Sequence, residues 1–172
     1  MWQKNWKNLR EQLDLINTDD SKELLRILIN SQIDIEKYCK IFNQTENLEY
    51  LILLSPFDYN NIKILDYSFN IDWEDIDLEI TVFTKNTPKT LKEFIGKLGR
   101  LLHALFIYKS KIECPNCSIA ELSIYKNIDN KIFYECELCL NLYDSNLTLY
   151  QDKIKLYPCD VVTLKINGLY RY

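Results

Sequence analysis

The sequence is poor in glycine, proline and histidine, and this scarcity narrows both its architecture and its chemistry. Among 172 residues there are three glycines, four prolines and a single histidine, His103. So few glycines and prolines leave little room for flexible linkers. The phosphate-binding loop, the dinucleotide fingerprint and the nucleophile elbow of hydrolases need glycines at fixed spacings, and the sequence contains none of them. We therefore predict that the protein is not an enzyme.

Long apolar runs are also missing. The longest, "YLILL" and "LLHALFIY", are far shorter than the roughly 20 residues that span a bilayer. The N-terminal segment lacks the uninterrupted apolar core of a secretory signal peptide. We expect a cytoplasmic protein. The abundance of Ile, Asn and Lys indicates an AT-rich genome, which favours a bacterial source.

What the sequence does have is a globular composition with segregated charge. Hydrophobic residues make up 47% and charged residues 27%, which is typical of a folded domain, and the net charge is −4. Residues 1–84 carry eight basic against sixteen acidic residues, residues 85–112 carry seven against one, and residues 113–172 carry six against eight. Segregation of this kind bears on which partners the protein can attract.

Helical periodicity dominates the N-terminal part. Apolar residues spaced by three or four predict a helix over 2–16 and a second one around 24–28, followed by a third apolar segment over 33–42. Asp20 or Ser21 is suited to cap the second helix.

A basic helix is predicted over residues 88–107. Its apolar residues fall on one face, and Thr87 or Thr90 can cap it, with Pro88 near the first turn. His103 projects beside the apolar stripe, which is typical of a surface or boundary histidine.

Five segments have strand-like patterns of short apolar or alternating residues with turn residues between them. We predict strands in the segments 48–55, 62–69, 76–84, 146–157 and 160–172. Together with the helices, they predict an α+β fold: N-terminal helices, a small antiparallel sheet, a basic helix and a β-rich C-terminal part.

Two Cys-x-x-Cys pairs are the most specific feature of the sequence. Eighteen residues separate the pair Cys114 and Cys117 from the pair Cys136 and Cys139. Two residues between cysteines let one tight turn direct both sulfurs to one point, and a hairpin between the pairs brings both turns together. Four thiolates arranged in this way bind a tetrahedral ion at about 2.3 Å.

The segment between the pairs fits such a hairpin. "AELSIYK" and "KIFYE" are predicted to pair as strands, with "NIDN" as the turn. Residues 112–145 therefore resemble a zinc ribbon, including Pro115 inside the first pair. Ribbons often have glycine directly after each pair, where this sequence has Ser118 and Leu140. The resemblance implies a structural Zn²⁺ with a closed coordination shell, within a single α+β domain of residues 1–172.

Other roles for the cysteines are less compatible with this spacing. Disulfides are disfavoured in a cytosolic protein, and a thioredoxin-like site needs one pair at a strand-to-helix junction. Iron of the rubredoxin type uses a similar ligand set and stays open as an alternative. Cys39 and Cys159 are predicted to be buried free thiols.

An acidic stretch and a basic stretch are the candidate binding surfaces. We predict a non-enzymatic protein-binding module, of the class that neutralises a basic bacterial toxin or nuclease domain, because acidic groups steer a basic partner. The predicted partner-binding residues are Asp66, Asp72, Trp73, Glu74, Asp75, Asp77 and Glu79.

Two alternatives stay open. A nucleic-acid-binding ribbon protein would use the basic helix and its flanks, residues 85–111, although residues 113–144 hold two lysines against six acids. A metal-dependent nuclease would use Asp72 to Glu79. A restriction-nuclease-like core places lysine two residues after such a glutamate, whereas here Thr81 follows Glu79.

Overall fold

A computed structural model describes residues 2–16, 20–42 and 73–169, except for the side chains of Trp73 and Glu74. The predicted strands at 48–55 and 62–69, and the predicted partner-binding residues Asp66 and Asp72, lie outside these ranges. The α+β fold class is confirmed, since helices precede a small antiparallel sheet. The described residues fall into two compact units, unit 1 before residue 106 and unit 2 from residue 106 onward.

Unit 1 is helical over its described residues. It contains α1 (Trp2–Leu15), α2 (Ser21–Ile41), α3 (Trp73–Lys85) and α4 (Leu91–Phe106, whose last residue belongs to unit 2). The Asp20 carboxylate caps α2 by accepting from the backbone N–H groups of Lys22 and Glu23, and the Thr90 hydroxyl caps α4 by accepting from that of Glu93. Both caps confirm the sequence-based predictions.

Aromatic residues form the centre of unit 1. The Trp6 ring lies 5.0 Å from the Phe83 ring and 5.4 Å from the Phe94 ring, centroid to centroid, so side chains of α1, α3 and α4 meet there. Leucines and isoleucines of α2 are buried on one face of that helix. The third apolar segment predicted over 33–42 continues α2 as far as Ile41, and Ile29 and Ile35 are both buried along this one helix.

The strand predicted at 76–84 is wrong. This segment belongs to α3, and helical spacing buries Ile76, Ile80 and Phe83 on one face. The alternation that indicated a strand would have placed Leu78 and Val82 on the same face as Ile76 and Ile80. In the helix these two side chains are instead exposed.

Unit 2 is built around a six-stranded sheet. Its strands are β1 (Lys109–Glu113), β2 (Glu121–Lys126), β3 (Ile132–Glu135), β4 (Leu142–Asp144), β5 (Leu149–Tyr150) and β6 (Tyr157–Pro158). Neighbours pair antiparallel in the order β1 to β5, and β6 pairs with β2. The β2–β3 register pairs Ser123 with Glu135 and Lys126 with Ile132, which confirms the predicted hairpin between the cysteine pairs.

The C-terminal part departs from its prediction. β5 and β6 account for the strand character predicted at 146–157, but the segment 160–172 begins with a short helix, α5 (Val161–Ile166), so that strand prediction is wrong. The Asp160 carboxylate accepts from the backbone N–H of Thr163 at 2.7 Å and caps this helix. Asp160 also forms a largely buried ion pair with Lys126 of β2.

None of the helices in the described ranges is long and apolar enough to cross a membrane.

Candidate metal centre

The structure brings the four predicted cysteines together. The sulfurs of Cys114, Cys117, Cys136 and Cys139 all lie within 4.8 Å of one another. Two of the separations, Cys114 to Cys139 and Cys117 to Cys136, are 3.6 Å. Sulfurs that surround a tetrahedral ion at about 2.3 Å lie about 3.8 Å from one another. The cluster therefore has the size that a metal ion requires.

None of the six cysteines, which all lie in the described ranges, forms a disulfide. Separations of 3.6 Å are much longer than the roughly 2.05 Å of a disulfide bond.

The backbone repeats itself around the two cysteine pairs. Each pair sits in a tight turn, which we call a knuckle: knuckle 1 spans residues 114–119 and knuckle 2 spans residues 136–140. In knuckle 1 the N–H of Ser118 donates to the carbonyl of Cys114 at 2.9 Å. In knuckle 2 the N–H of Leu140 donates to the carbonyl of Cys136 at 2.8 Å. Because β1 ends at Glu113 and β3 ends at Glu135, the sheet delivers both knuckles to one place.

Both knuckles force a non-glycine residue into the left-handed region. Ser118 has φ 53° and Leu140 has φ 58°. These are the two positions at which ribbons often have glycine, so the departure noted in the sequence has a structural meaning. The knuckle turn needs a positive φ there, and this chain adopts it despite the steric cost of a Cβ atom.

Hydrogen bonds favour negative charge on the first cysteine. Burial raises the pKa of Cys114, but four hydrogen bonds outweigh it and lower that pKa to about 6. The donors are the hydroxyl of Tyr143, the backbone N–H groups of Cys117 and Asn116, and the thiol of Cys136. The Tyr143 oxygen lies 3.4 Å from the Cys114 sulfur. A thiolate, the form that binds metal, is thus stabilised at this position.

Crowding of the sulfurs acts in the opposite direction on Cys117. The N–H of Ile119 lowers its pKa, but burial and the neighbouring sulfurs of Cys114 and Cys136 raise it overall. Four thiolates at this separation repel one another, and a divalent cation at their centre relieves that repulsion. The donor set therefore fits a metal ion, and with four protein ligands the shell is closed to a water nucleophile.

The remaining two cysteines are not members of the four-sulfur cluster. Cys39 and Cys159 are both buried, as predicted. Burial raises the pKa of Cys159 to about 12 and also raises that of Cys39, which keeps both as neutral thiols.

The acidic patch predicted to bind a partner is partly described. Asp75 and Asp77 are exposed on α3, and Glu79 is half-buried. Sequence reasoning missed their neighbours Leu78 and Val82, which are 59% and 57% exposed. The signal was present, because a helical wheel places Leu78 opposite the buried face, but the alternating pattern concealed it.

Two residues of the basic stretch are engaged in internal contacts. The Lys97 amine donates to the carbonyls of Phe83 and Asn86 and lies 5.0 Å from the centroid of the Trp6 ring. Burial lowers its pKa, and Arg100 adds to this effect. Lys109 forms an ion pair with Glu137. These two amines are engaged within the protein, so fewer basic groups of residues 85–111 are available to bind nucleic-acid phosphates.

No family model matches this chain, and neither a curated protein nor a solved structure gives a significant match.

Proposed function

We propose that this protein is a non-enzymatic protein-binding module, in which a structural zinc ion orders unit 2 and the outer face of α3 binds a basic partner. The observation that supports the binding role is the pair Leu78 and Val82, two large apolar side chains left exposed among carboxylates.

Zinc is the metal that best suits the four-cysteine site. It accepts four thiolates in tetrahedral geometry without a preference imposed by d electrons, and closed shells of this kind stabilise folds. Iron uses the same ligand set, so the two are separated by metal analysis and by the visible charge-transfer absorption that an iron–thiolate centre has and zinc lacks. We expect one zinc per chain and no such absorption.

The outer face of α3 has the properties of a binding surface. Leu78 and Val82 are one turn apart and form an apolar stripe. Asp75 and Asp77 are exposed next to it. A groove of about 170 Å³ opens beside Val82, and its walls are formed by Phe83 and Leu101 together with the charged residues Glu79, Lys97 and Arg100. An apolar centre with charges around it is the usual anatomy of a protein interface.

Charge decides which partner suits this face. The described helix α3 carries four acidic residues, Glu74, Asp75, Asp77 and Glu79, against the single Lys85 near its end. Acidic groups around an apolar stripe attract a partner with basic residues around an apolar one. A basic toxin or nuclease domain is a partner of this kind, and we propose neutralisation of such a domain as the narrower function.

Differential capture tests the binding role. Tagged full-length protein would be exposed to lysate of the source organism, as wild type and as the double variant Leu78→Ser/Val82→Ser. We expect the double variant to lose a basic protein that the wild type retains, with affinity lowered about 10-fold or more. An additional Asp75→Asn/Asp77→Asn variant should mainly slow association and weaken its salt dependence.

Matched controls make this result specific. Leu15→Ser removes an exposed apolar side chain from α1 in the same unit, and Asp34→Asn removes an exposed charge from α2. Both should retain the partner. Equal capture by wild type and the double variant would overturn the proposal. Steeply salt-dependent binding of DNA or RNA, unaffected by the double variant, would support the nucleic-acid alternative instead.

The narrower function has its own test. The captured partner would be expressed in a bacterial host alone, with the wild type, or with the double variant. Growth restored by the wild type and not by the double variant supports neutralisation. If the captured partner is not toxic, the protein-binding role stands but the toxin-neutralising function is refuted.

A further inference from the structure

The two knuckles expose large apolar side chains. Ile119 is 79% exposed, Leu138 is 62% exposed and Leu140 is 74% exposed. Each of them lies within two residues of a clustered cysteine. Because all four sulfurs lie within 4.8 Å of one another, these side chains belong to the same end of unit 2. Leu138 and Leu140 are two residues apart in one knuckle, and Ile119 belongs to the other.

Leu140 combines an unfavourable backbone conformation with an exposed apolar side chain. Its φ of 58° is one that glycine adopts without steric cost, whereas a leucine pays for its Cβ atom. The side chain recovers little of this cost by packing, since three quarters of it is exposed. An apolar residue that destabilises the backbone locally and remains in solvent fits a role in contact with another molecule.

The charges around the knuckles specify what that molecule can be. Residues 113–121 and 135–141 contain four glutamates and no lysine, arginine or histidine. Glu113, Glu121 and Glu137 are exposed, and Glu137 is paired with Lys109. A divalent ion held by four thiolates adds a net charge of about −2 beneath this surface. An apolar surface in such a field favours a basic partner and disfavours an acidic one.

We infer that Ile119, Leu138 and Leu140 form a second docking surface, the knuckle surface, for a partner segment in which Lys or Arg flank apolar side chains. This inference rests on the proposed protein-binding function and assigns a part in it to unit 2. Leu138 and Leu140 provide the apolar contact of knuckle 2, Ile119 provides that of knuckle 1, and the glutamates select the basic flanks.

A random-peptide phage library panned against the metal-loaded full chain tests the knuckle surface. We expect enrichment of peptides with Lys or Arg beside Leu, Ile, Phe or Met. Synthetic versions of these peptides should bind Leu140→Gly about 10-fold more weakly than wild type, and the double variant Ile119→Ser/Leu140→Gly more weakly still.

Ser118→Gly is the matched control, because it removes the same backbone strain from the equivalent position of knuckle 1 without removing an apolar side chain. It should bind the peptides as the wild type does. Metal content of every variant would be measured, so that loss of the ion is not mistaken for loss of a contact.

Several results would overturn the inference. Enriched peptides without basic residues, or equal binding by wild type and Leu140→Gly, would remove the knuckle surface as a site for basic partners. A wild-type dimer in sedimentation that Leu140→Gly dissociates would make a second copy the occupant. Basic peptides lost with Leu78→Ser/Val82→Ser but not with the knuckle variants would refute the inference and leave the proposed function standing. If basic peptides bind neither the knuckle surface nor the outer face of α3, the inference and the proposed function both fail.

Discussion

The two units of this protein reach their folds by different means. Unit 1 has long helices whose buried faces follow helical spacing, with an aromatic centre around Trp6. Unit 2 has strands of two to six residues. Its buried cluster includes Cys114 and Cys136, two of the four clustered cysteines, among its apolar side chains. The candidate metal centre is thus part of the core of unit 2.

Backbone conformation separates the units as well. The described residues include four non-glycine residues with positive φ, and all four belong to unit 2: Ser118, Asn130, Leu140 and Leu147. The described part of unit 1 has no non-glycine residue with positive φ, so no backbone strain of this kind opposes its tertiary structure. In unit 2 the knuckles override local backbone preferences, and binding of a metal ion supplies free energy that can offset the cost.

Loss of a metal ligand should give the largest effect and act on unit 2. Cys114→Ser removes one of four ligands, and structural zinc contributes on the order of 10 kcal/mol to folding in small zinc modules. We expect loss of bound metal and loss of amide-exchange protection in β2 and β3. All three tryptophans belong to unit 1, so tryptophan emission follows the folding of that unit. It should change little.

Cys159→Ser is the control for this experiment, since Cys159 is buried in the same unit but is not one of the four clustered cysteines. This variant should keep a full complement of metal. Retained protection of β2 and β3 in metal-free Cys114→Ser would show that the apolar core of unit 2 suffices. A collapse of tryptophan emission would show that the units do not fold independently.

A large-to-small substitution in unit 1 should give the converse result. Phe94 is fully buried, and its ring contacts those of Trp2 and Trp6. Phe94→Ala should lower the free energy of unfolding of unit 1 by about 3–5 kcal/mol. Denaturant titration followed by tryptophan emission measures this change, and metal content should stay at the wild-type level. Leu78→Ser, at an exposed site on α3, should shift stability by less than about 0.5 kcal/mol.

The same contrast explains which parts of the structure could be predicted from the sequence. The arrangement of the four sulfurs could be predicted from the cysteine spacing. Two residues within each pair and a hairpin between the pairs leave few ways to place the sulfurs. The segment 76–84 was ambiguous, because Ile76 and Ile80 fit a strand face and a helix face equally well. The helix buries Phe83 on the same face as Ile76 and Ile80, where it packs against Trp6, a residue far away in the sequence.

The sequence predicted the first residues of helices better than it predicted which segments are helical. Asp20 and Thr90, each one of two candidate caps in the sequence, are the residues that cap α2 and α4, since a cap depends on neighbouring residues. Asp160 was overlooked because the β-branched residues after it favour a strand, although Thr163 stands at the position where a capping contact is made. A helical wheel of α3 places Leu78 away from the buried face, so its exposure follows once the segment is known to be a helix. The exposure of the knuckle side chains depends on tertiary structure, which the sequence alone does not show.

A smaller effect should come from the hydrogen bond that supports the metal site. Tyr143→Phe deletes the hydroxyl that lies 3.4 Å from the Cys114 sulfur and keeps the ring, which is buried. Partners of metal ligands typically contribute about 10-fold in affinity, so we expect zinc to bind about 10-fold more weakly. Competition with a chromophoric chelator measures this.

Tyr134→Phe is the control, since Tyr134 is buried and pairs with Tyr143 across β3 and β4. It should leave zinc affinity unchanged. Equal weakening in both variants would mean that the effect arises from general loosening of the sheet and not from the bond to Cys114. Tyr143 would then act on the candidate metal centre only through the stability of the sheet.

The smallest effect should come from relieving backbone strain in a knuckle, and it should raise the stability of unit 2 instead of lowering it. Ser118→Gly keeps the backbone bond to Cys114 and removes the Cβ atom at φ 53°. Relief of the left-handed strain, less the greater freedom of glycine in the unfolded chain, should stabilise unit 2 by about 0.5–1 kcal/mol. Because metal binding and folding of this unit are linked, the same gain should appear as zinc affinity about 3-fold higher. Ser118→Ala retains the Cβ atom and should give no gain. If alanine and glycine stabilise alike, the knuckle is not strained, and unit 2 obeys local backbone preferences as fully as unit 1 does.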